Sequence, residues 1–124
     1  MNNITILYVD DEPDALKSMK LGLEDRGYNV LTAETGNAAL ELLQTTTPDI
    51  VITDLRMHPM NGFDFFQEAK KLSQLAHTPF FFLTAVDDFL AQKYGKSLGV
   101  DAYLTKPINL SNLDVIIKQK VKTK

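Results

Sequence analysis

The chain has 124 residues, of which 44% are hydrophobic and 23% are charged, a length and composition typical of one globular domain. It contains no cysteine, which excludes disulfides, thiolate metal sites and cysteine nucleophiles. A net charge of −3 disfavours direct binding to nucleic acid or to anionic lipid. No stretch approaches the roughly 20 apolar residues of a membrane span, and no signal peptide precedes the first apolar run. We therefore expect one cytoplasmic domain over residues 1–124, without a membrane partner.

Five short apolar runs, rich in β-branched and aromatic residues, predict β-strands. They cover residues 4–9, 28–33, 50–53, 79–83 and 102–105. Most are continuously apolar and lack the alternation of a sheet with one wet face. This pattern is typical of strands that are buried on both sides, as in a parallel sheet covered by helices.

Segments with helical spacing separate these runs. In the first, Leu16, Met19 and Leu23 fall on one face of a helix. Pro13 suits the first turn of that helix, and Ser111 is the predicted N-cap of the last one. Strands that alternate with helices predict an α/β fold of the (βα)5 type. We expect a doubly wound, flavodoxin-like sheet of five parallel strands in the order 2-1-3-4-5.

Polar residues stand where the predicted strands end. Asp10 and Asp11 follow the first strand, Asp54 the third, Thr84 the fourth and Lys106 the fifth. Each has an ordinary structural interpretation, such as an aspartate that caps a helix or a threonine in a strand. In an open α/β sheet, however, ligands bind outside the carboxyl ends of the strands, where the strand order reverses. The five residues therefore predict one shared site.

The chemistry of these side chains limits what such a site can bind. Asp10, Asp11 and Asp54 would repel one another, and a hard divalent cation relieves that repulsion. Oxygen ligands without cysteine or paired histidine favour Mg²⁺, or Mn²⁺, over zinc. Thr84 and Lys106 suit a phosphate partner. An aspartate can itself attack phosphorus and form an aspartyl phosphate.

Taken together, Asp10-Asp11, Asp54, Thr84-Ala85 and Lys106-Pro107 resemble the motifs of the response regulator receiver domain of two-component signalling. The resemblance covers the whole chain and implies a single receiver domain over residues 1–124. It implies that Asp54 is the phosphoacceptor, supplied by a histidine kinase or phosphotransfer protein. The domain would act as a phosphorylated switch and not as an enzyme, with slow self-dephosphorylation.

The resemblance also implies a role for each matching residue. Asp11, Asp54 and the backbone carbonyl of Arg56 would ligate Mg²⁺, and Asp10 would act largely through water. Lys106 and Thr84 would hold phosphoryl oxygens, together with the backbone N–H of Ala85. Tyr103 matches an aromatic switch position that moves together with the hydroxyl of Thr84.

These movements would alter a face built from the fourth helix, fifth strand and fifth helix. Its partners would be a downstream protein or effector domain, with a phosphorylation-dependent homodimer as a further option. Arg56 and Val86 lie two residues beyond Asp54 and Thr84. We expect the bulk of Arg56 to limit access of water and to lengthen the phosphorylated lifetime.

One loop departs from the family pattern. In Met57-His58-Pro59-Met60-Asn61-Gly62 the proline is displaced by one position. This departure is the one feature that favours an alternative function, a receiver-like interaction module that is never phosphorylated. His58 is expected to be an exposed loop residue.

Two other functions are weaker alternatives, one an enzyme class and the other a class of cofactor-binding proteins. Phosphatases with an aspartate nucleophile generally carry a second aspartate where this chain has Arg56. A flavodoxin-like cofactor protein needs a glycine- and hydroxyl-rich phosphate loop after the first strand, where this chain is acidic.

Overall fold

Strands and helices alternate along the chain in the structure, a computed structural model that describes residues 4–85 and 89–121. The strands are β1 (Thr5–Val9), β2 (Asn29–Ala33), β3 (Ile50–Asp54), β4 (Phe80–Ala85) and β5 (Ala102–Lys106). The helices are α1 (Pro13–Asp25), α2 (Gly36–Leu43), α3 (Gly62–Ala69), α4 (Phe89–Ser97) and α5 (Leu110–Lys120), with a 3-10 turn at Ser73–Leu75. None of the helices in the described ranges has the length and apolar character that a membrane crossing requires.

All five strands are parallel and lie in the order β2-β1-β3-β4-β5, which confirms the predicted topology. The chain adds β2 on one side of β1 and then returns to add β3 on the other side. The crevice where the order reverses therefore lies between the carboxyl ends of β1 and β3. In this class of sheet, that crevice is where ligands bind.

The strands run further toward this crevice than their sequence predicts. Asp54, Thr84 and Lys106 were expected just after the strands, but each is part of one. The register continues through Asp54 opposite Leu83 and through Lys106 opposite Ala85. Parallel pairing therefore fixes the backbone at three of the candidate site residues.

Two apolar cores lie on opposite faces of the sheet, because neighbouring strand residues point to opposite sides. In β1, Ile6 and Tyr8 contact the core formed with α1 and α5, whereas Leu7 and Val9 contact the core formed with α2 and α3. These four side chains are each at most 1% exposed. Burial on both faces explains why the strands are almost continuously apolar.

The helix ends partly follow the predictions. Pro13 is the first residue of α1, as expected. The prediction for α5 is wrong, because Asn109, and not Ser111, is its N-cap and accepts a hydrogen bond from the backbone N–H of Asn112 at 3.0 Å. Ser111 lies inside the helix, where its hydroxyl accepts a hydrogen bond from the guanidinium of Arg26 at 3.1 Å.

Candidate functional site

Three of the predicted site residues meet at the carboxyl edge of the sheet. Asp10 directly follows β1, Asp54 ends β3, and Lys106 ends β5. The Lys106 ammonium lies 2.7 Å from Oδ2 of Asp54 and 3.6 Å from Oδ2 of Asp10. One cation is thus shared unequally by two carboxylates.

Asp54 is the more exposed of these two carboxylates, although its exposed fraction is only 5%. Its Oδ1 accepts a hydrogen bond from the backbone N–H of Arg56 at 3.0 Å, and its Oδ2 accepts one from Lys106. Burial raises the pKa of Asp54, and these two hydrogen bonds oppose the rise without cancelling it. A carboxylate in this setting is costly to keep ionised and is stabilised by any added cation.

Lys106 responds to the same environment. Partial burial alone would lower its pKa, but the hydrogen bond to Asp54 and the charges of Asp54 and Asp10 outweigh burial, so the pKa is raised. The ammonium therefore stays protonated across the physiological range. It is a positive charge beside Asp54, the carboxylate that the family resemblance predicts to be the phosphoacceptor.

Asp10 is fully buried and obtains its hydrogen bonds elsewhere. Its Oδ2 accepts from the phenol of Tyr8 at 2.7 Å, and its Oδ1 accepts from the backbone N–H of Glu12 at 3.1 Å. Burial, followed by this bond to Asp10, raises the pKa of Tyr8 well above its ordinary value. Sequence analysis missed Tyr8, yet a signal exists: residues two apart in a strand share a face, and a buried phenol needs a partner.

Thr84 lies at the same edge with its side chain fully buried. Its hydroxyl has no hydrogen-bond partner among the residues that the structure describes. A buried hydroxyl without a partner loses about 1–3 kcal/mol of hydration. Such a group at a ligand crevice is suited to donate to an incoming oxygen.

Tyr103 lies one strand further, packed between β4 and α4. Its half-buried ring meets Phe82 edge to face, with the ring centres 6.2 Å apart, and its phenol oxygen is shielded from solvent. A methyl group at Gly95 of α4 would lie 2.4 Å from Cε2 of Tyr103. The ring occupies this inward position because residue 95 has no side chain, a role that sequence analysis did not assign.

The loop with the displaced proline still closes under the site. Met57 is 2% exposed in the core, whereas His58 and Pro59 are exposed, as expected for His58. The backbone N–H of Gly62 donates to the carbonyl of Leu55 at 3.0 Å. The His58–Pro59 peptide bond is cis, as is the Lys106–Pro107 bond on the other side of the site.

The remaining predicted residues surround this centre. Asp11 is half-buried next to Asp10, and Arg56 and Ala85 are exposed at the ends of β3 and β4. Val86 lies outside the described residues. Of the predicted set, the hydrogen bonds and ion pairs above bring together Asp10, Asp54, Lys106 and the backbone of Arg56.

The donor set fits a hard divalent cation by its chemistry. Across residues 4–85 and 89–121, no three histidine, aspartate or glutamate side chains converge as a preformed metal site. Mg²⁺, however, commonly takes only one or two carboxylates, keeps several waters and adds a phosphate oxygen. Asp10 and Asp54 supply two carboxylates, and the chain has no cysteine, a donor set that favours Mg²⁺ or Mn²⁺.

Comparison with known proteins connects this geometry to a family. Residues 6–118 match the family described as the response regulator receiver domain. The chain is 32% identical over 116 residues to the alkaline phosphatase synthesis transcriptional regulatory protein PhoP of Bacillus subtilis, covering 94% of this chain and 48% of that protein. The chain thus spans about half the length of that regulator.

Shorter relatives match over most of their length. Protein PilH of Pseudomonas aeruginosa is 33% identical over 108 residues, which make up 87% of this chain and 89% of that protein. The high-resolution structure of the chemotaxis response regulator CheY4 of Vibrio cholerae superimposes with a TM-score of 0.87 at 31% identity. It covers 96% of this chain and 99% of the other.

Proposed function

Because this chain belongs to the response regulator receiver domain family, we propose that Asp54 accepts a phosphoryl group from a histidine kinase or phosphotransfer protein. Receiver domains are signalling switches that interact with histidine kinases and effector domains, are not generally classed as enzymes and typically bind Mg²⁺ at an acidic pocket. The observation that carries the proposal is the buried Asp54 carboxylate with the Lys106 ammonium 2.7 Å from its Oδ2.

The proposed step is a transfer between two nucleophiles. A carboxylate oxygen of Asp54 attacks phosphorus of a phosphohistidine, the P–N bond breaks, and its electron pair stays on the imidazole nitrogen. The product is an acyl phosphate on Asp54. Lys106 already lies beside the attacking carboxylate, so its charge is in place to stabilise the phosphoryl oxygens without reorganisation.

A divalent cation completes the proposed site. Asp11, Asp54 and the backbone carbonyl of Arg56 would hold Mg²⁺, or Mn²⁺, with Asp10 acting through water. Bound there, the cation would screen the negative charge of the phosphoryl group from the carboxylates. The raised pKa of Asp54 supports this assignment, because burial disfavours its ionised form and a bound cation would offset that cost.

The switch is assigned to the neighbouring strand ends. The hydroxyl of Thr84 and the backbone N–H of Ala85 would bind phosphoryl oxygens, and the ring of Tyr103 would follow the movement of Thr84. The buried hydroxyl of Thr84, which has no hydrogen-bond partner within residues 4–85 and 89–121, supports this role. The affected face comprises α4, β5 and α5, where Tyr94 and Val115 are 45% and 56% exposed.

Further parts of the proposal rest on the family. We place residues 1–124 in one receiver domain and the protein in the cytoplasm, with a downstream protein, an effector domain or a phosphorylation-dependent homodimer as the output. The exposed side chain of Arg56 would shield the acyl phosphate from water and slow self-dephosphorylation.

The test is phosphorylation with a small donor. The purified chain is incubated with acetyl phosphate and Mg²⁺, and its intact mass is recorded. We expect one added phosphoryl group, lost when Mg²⁺ is chelated and absent in Asp54→Asn. The matched control is Asp49→Asn, whose carboxylate accepts from the backbone N–H of Thr5 at the opposite end of the sheet.

Either result is informative. Phosphorylation of Asp49→Asn but not of Asp54→Asn identifies the acceptor. A folded wild-type protein that gains no phosphoryl group contradicts the proposal. It would favour the alternative function, an interaction module that is not phosphorylated. The loop that contains Pro59 would then be the first candidate for the cause.

A further inference from the structure

Tyr8 connects the core beneath the sheet to the acidic site. Its ring is 1% exposed and packs in the core formed with α1 and α5. It also forms part of the wall of a 660 Å³ cavity that Lys106 lines as well. The Tyr8 hydroxyl lies at the edge of this apolar core and donates a hydrogen bond to Oδ2 of Asp10 at 2.7 Å. The phenol is therefore held by packing in a fixed position against one oxygen of the site.

The hydrogen bond changes how the two carboxylates compete for one ammonium. Asp10 is the more buried of the pair, so an uncompensated charge there would attract Lys106 strongly. Yet Lys106 lies 2.7 Å from Asp54 and 3.6 Å from Asp10. The phenol satisfies the Asp10 oxygen that faces Lys106, because a hydroxyl that donates to a carboxylate forms a strong, charge-assisted bond.

We propose that Tyr8 is a positioning residue that occupies Oδ2 of Asp10, leaves Lys106 with Asp54, and weakens the affinity of the site for Mg²⁺. This inference rests on the proposed function, since it concerns the same metal and phosphoryl site. Without the phenol, Asp10 keeps the same charge but has one hydrogen-bond donor fewer to compensate it, so it attracts a cation more strongly. The hydroxyl thus limits metal binding and keeps the ammonium beside the phosphoacceptor.

The test is the Mg²⁺ affinity of Tyr8→Phe, which keeps the ring and removes only the donor. The dissociation constant is measured by titration of amide NMR shifts in the full chain, at fixed pH and ionic strength and without a phosphodonor. We expect the variant to bind Mg²⁺ at least about threefold more tightly, since hydrogen bonds to charged groups have large effects. A dissociation constant that is unchanged or higher overturns the inference.

Two matched comparisons separate this role from a structural one. Tyr28 is also a buried tyrosine whose phenol donates to a carboxylate, that of Asp114, away from the site. Tyr28→Phe should leave the Mg²⁺ affinity unchanged. In an Asp10→Asn background, adding Tyr8→Phe should also leave it unchanged, because the acceptor charge is already gone. A threefold gain in either comparison overturns the inference.

Failure of the inference differs from failure of the proposed function. Mg²⁺ binding with equal affinity in wild type and Tyr8→Phe overturns the inference alone. Tighter Mg²⁺ binding in Tyr8→Phe, in a protein whose wild type takes no phosphoryl group, supports the inference and contradicts the proposed function. A wild type that binds no Mg²⁺ contradicts both. Should Tyr8→Phe unfold, the absorption of the tyrosines is followed instead while wild type and Tyr28→Phe are titrated with Mg²⁺; equal, unchanged spectra in both would overturn the inference, because Mg²⁺ would then not affect the bond between Tyr8 and Asp10.

Discussion

At the scale of single residues, the acidic site holds more negative charge than its donors compensate. Asp10 and Asp54 share Lys106, and each has one additional backbone N–H. Asp10 also has the phenol of Tyr8, whereas Asp54 has no such third donor among the contacts described. Asp54, the proposed acceptor, is accordingly the carboxylate whose ionised form is disfavoured by burial.

This imbalance gives Asp54 a pH-dependent effect on stability. Since its pKa is raised, the folded protein holds the proton more tightly than the unfolded chain does. The ionised carboxylate therefore reduces the free energy of unfolding at neutral pH, and the penalty disappears as the pH falls toward the ordinary value of 3.8. Asn carries no charge and keeps one acceptor oxygen, which can accept from Lys106 or from the backbone N–H of Arg56, but not from both in their present positions.

We therefore expect Asp54→Asn to raise the Tm by about 2–5 °C at pH 7, with the difference narrowing toward pH 4. Thermal unfolding followed by circular dichroism at several pH values measures it. Asp64→Asn, at an exposed carboxylate in the first turn of α3, is the control and should give no increase. An Asp54→Asn protein less stable than wild type at pH 7 would show that the bond to Lys106 dominates instead.

At the scale of elements, the connection from β3 to α3 supports the site through its backbone. A methyl group at Gly62 would lie 2.4 Å from the carbonyl oxygen of Asp54 and 2.8 Å from Cα of Leu55. Both are backbone atoms at the end of β3, next to or at the proposed phosphoacceptor Asp54. The loop that contains Pro59 therefore returns to the sheet at a point where only glycine fits.

Gly62→Ala should reduce the free energy of unfolding by roughly 1–3 kcal/mol, because the backbone of β3 or α3 must shift. Gly36→Ala is a matched control, since Gly36 is also buried and also begins a helix. There the added methyl would meet Sδ of Met60, the far end of a flexible side chain. Denaturant unfolding compares the two, and equal losses would contradict the distinction between backbone and side-chain contacts.

The sequence was sufficient to predict the fold, and the structure brings Asp10, Asp54 and Lys106 of the predicted site together, but the contacts among the residues could not be predicted. Burial on both faces requires a continuous apolar pattern, which made the strands recognisable. The alternation of strands with helices then favoured the strand order 2-1-3-4-5 over others. The strand ends at Thr84 and Lys106 were missed because parallel pairing, and not composition, extends them. Tyr8 and Gly95 were missed because their roles depend on atoms brought close only by the folded sheet.

At the scale of the whole molecule, one sheet serves both cores, and the site lies along its carboxyl edge. Asp10 follows β1 and Asp54 ends β3, and these two strands are neighbours in the sheet. Along the chain, 43 residues (numbers 11 to 53) separate the two aspartates. The unfolded chain consequently offers no comparable cation site. Binding of the proposed metal ion would therefore be thermodynamically linked to global folding.

Adding Mg²⁺ should stabilise the whole domain. At a free concentration of 100 times the dissociation constant, the expected gain is about 2.7 kcal/mol. Thermal unfolding in MgCl2, compared with NaCl of equal ionic strength, measures the shift in Tm. Asp11→Asn should reduce the shift, because Asp11 is a proposed ligand. Equal Tm values for wild type in the two salts would contradict a divalent site.

The contact between Tyr8 and Asp10 also gives the protein an optical property. The sequence has four tyrosines and no tryptophan. Its near-ultraviolet fluorescence therefore comes from tyrosine and is not masked by tryptophan emission. Among them, Tyr8 donates its hydroxyl to Asp10, a carboxylate of the candidate metal site. Any event that displaces Asp10 alters that phenol's hydrogen bond and hence its absorption and emission. The domain therefore carries an intrinsic, label-free reporter of its own site, which Tyr8→Phe would remove.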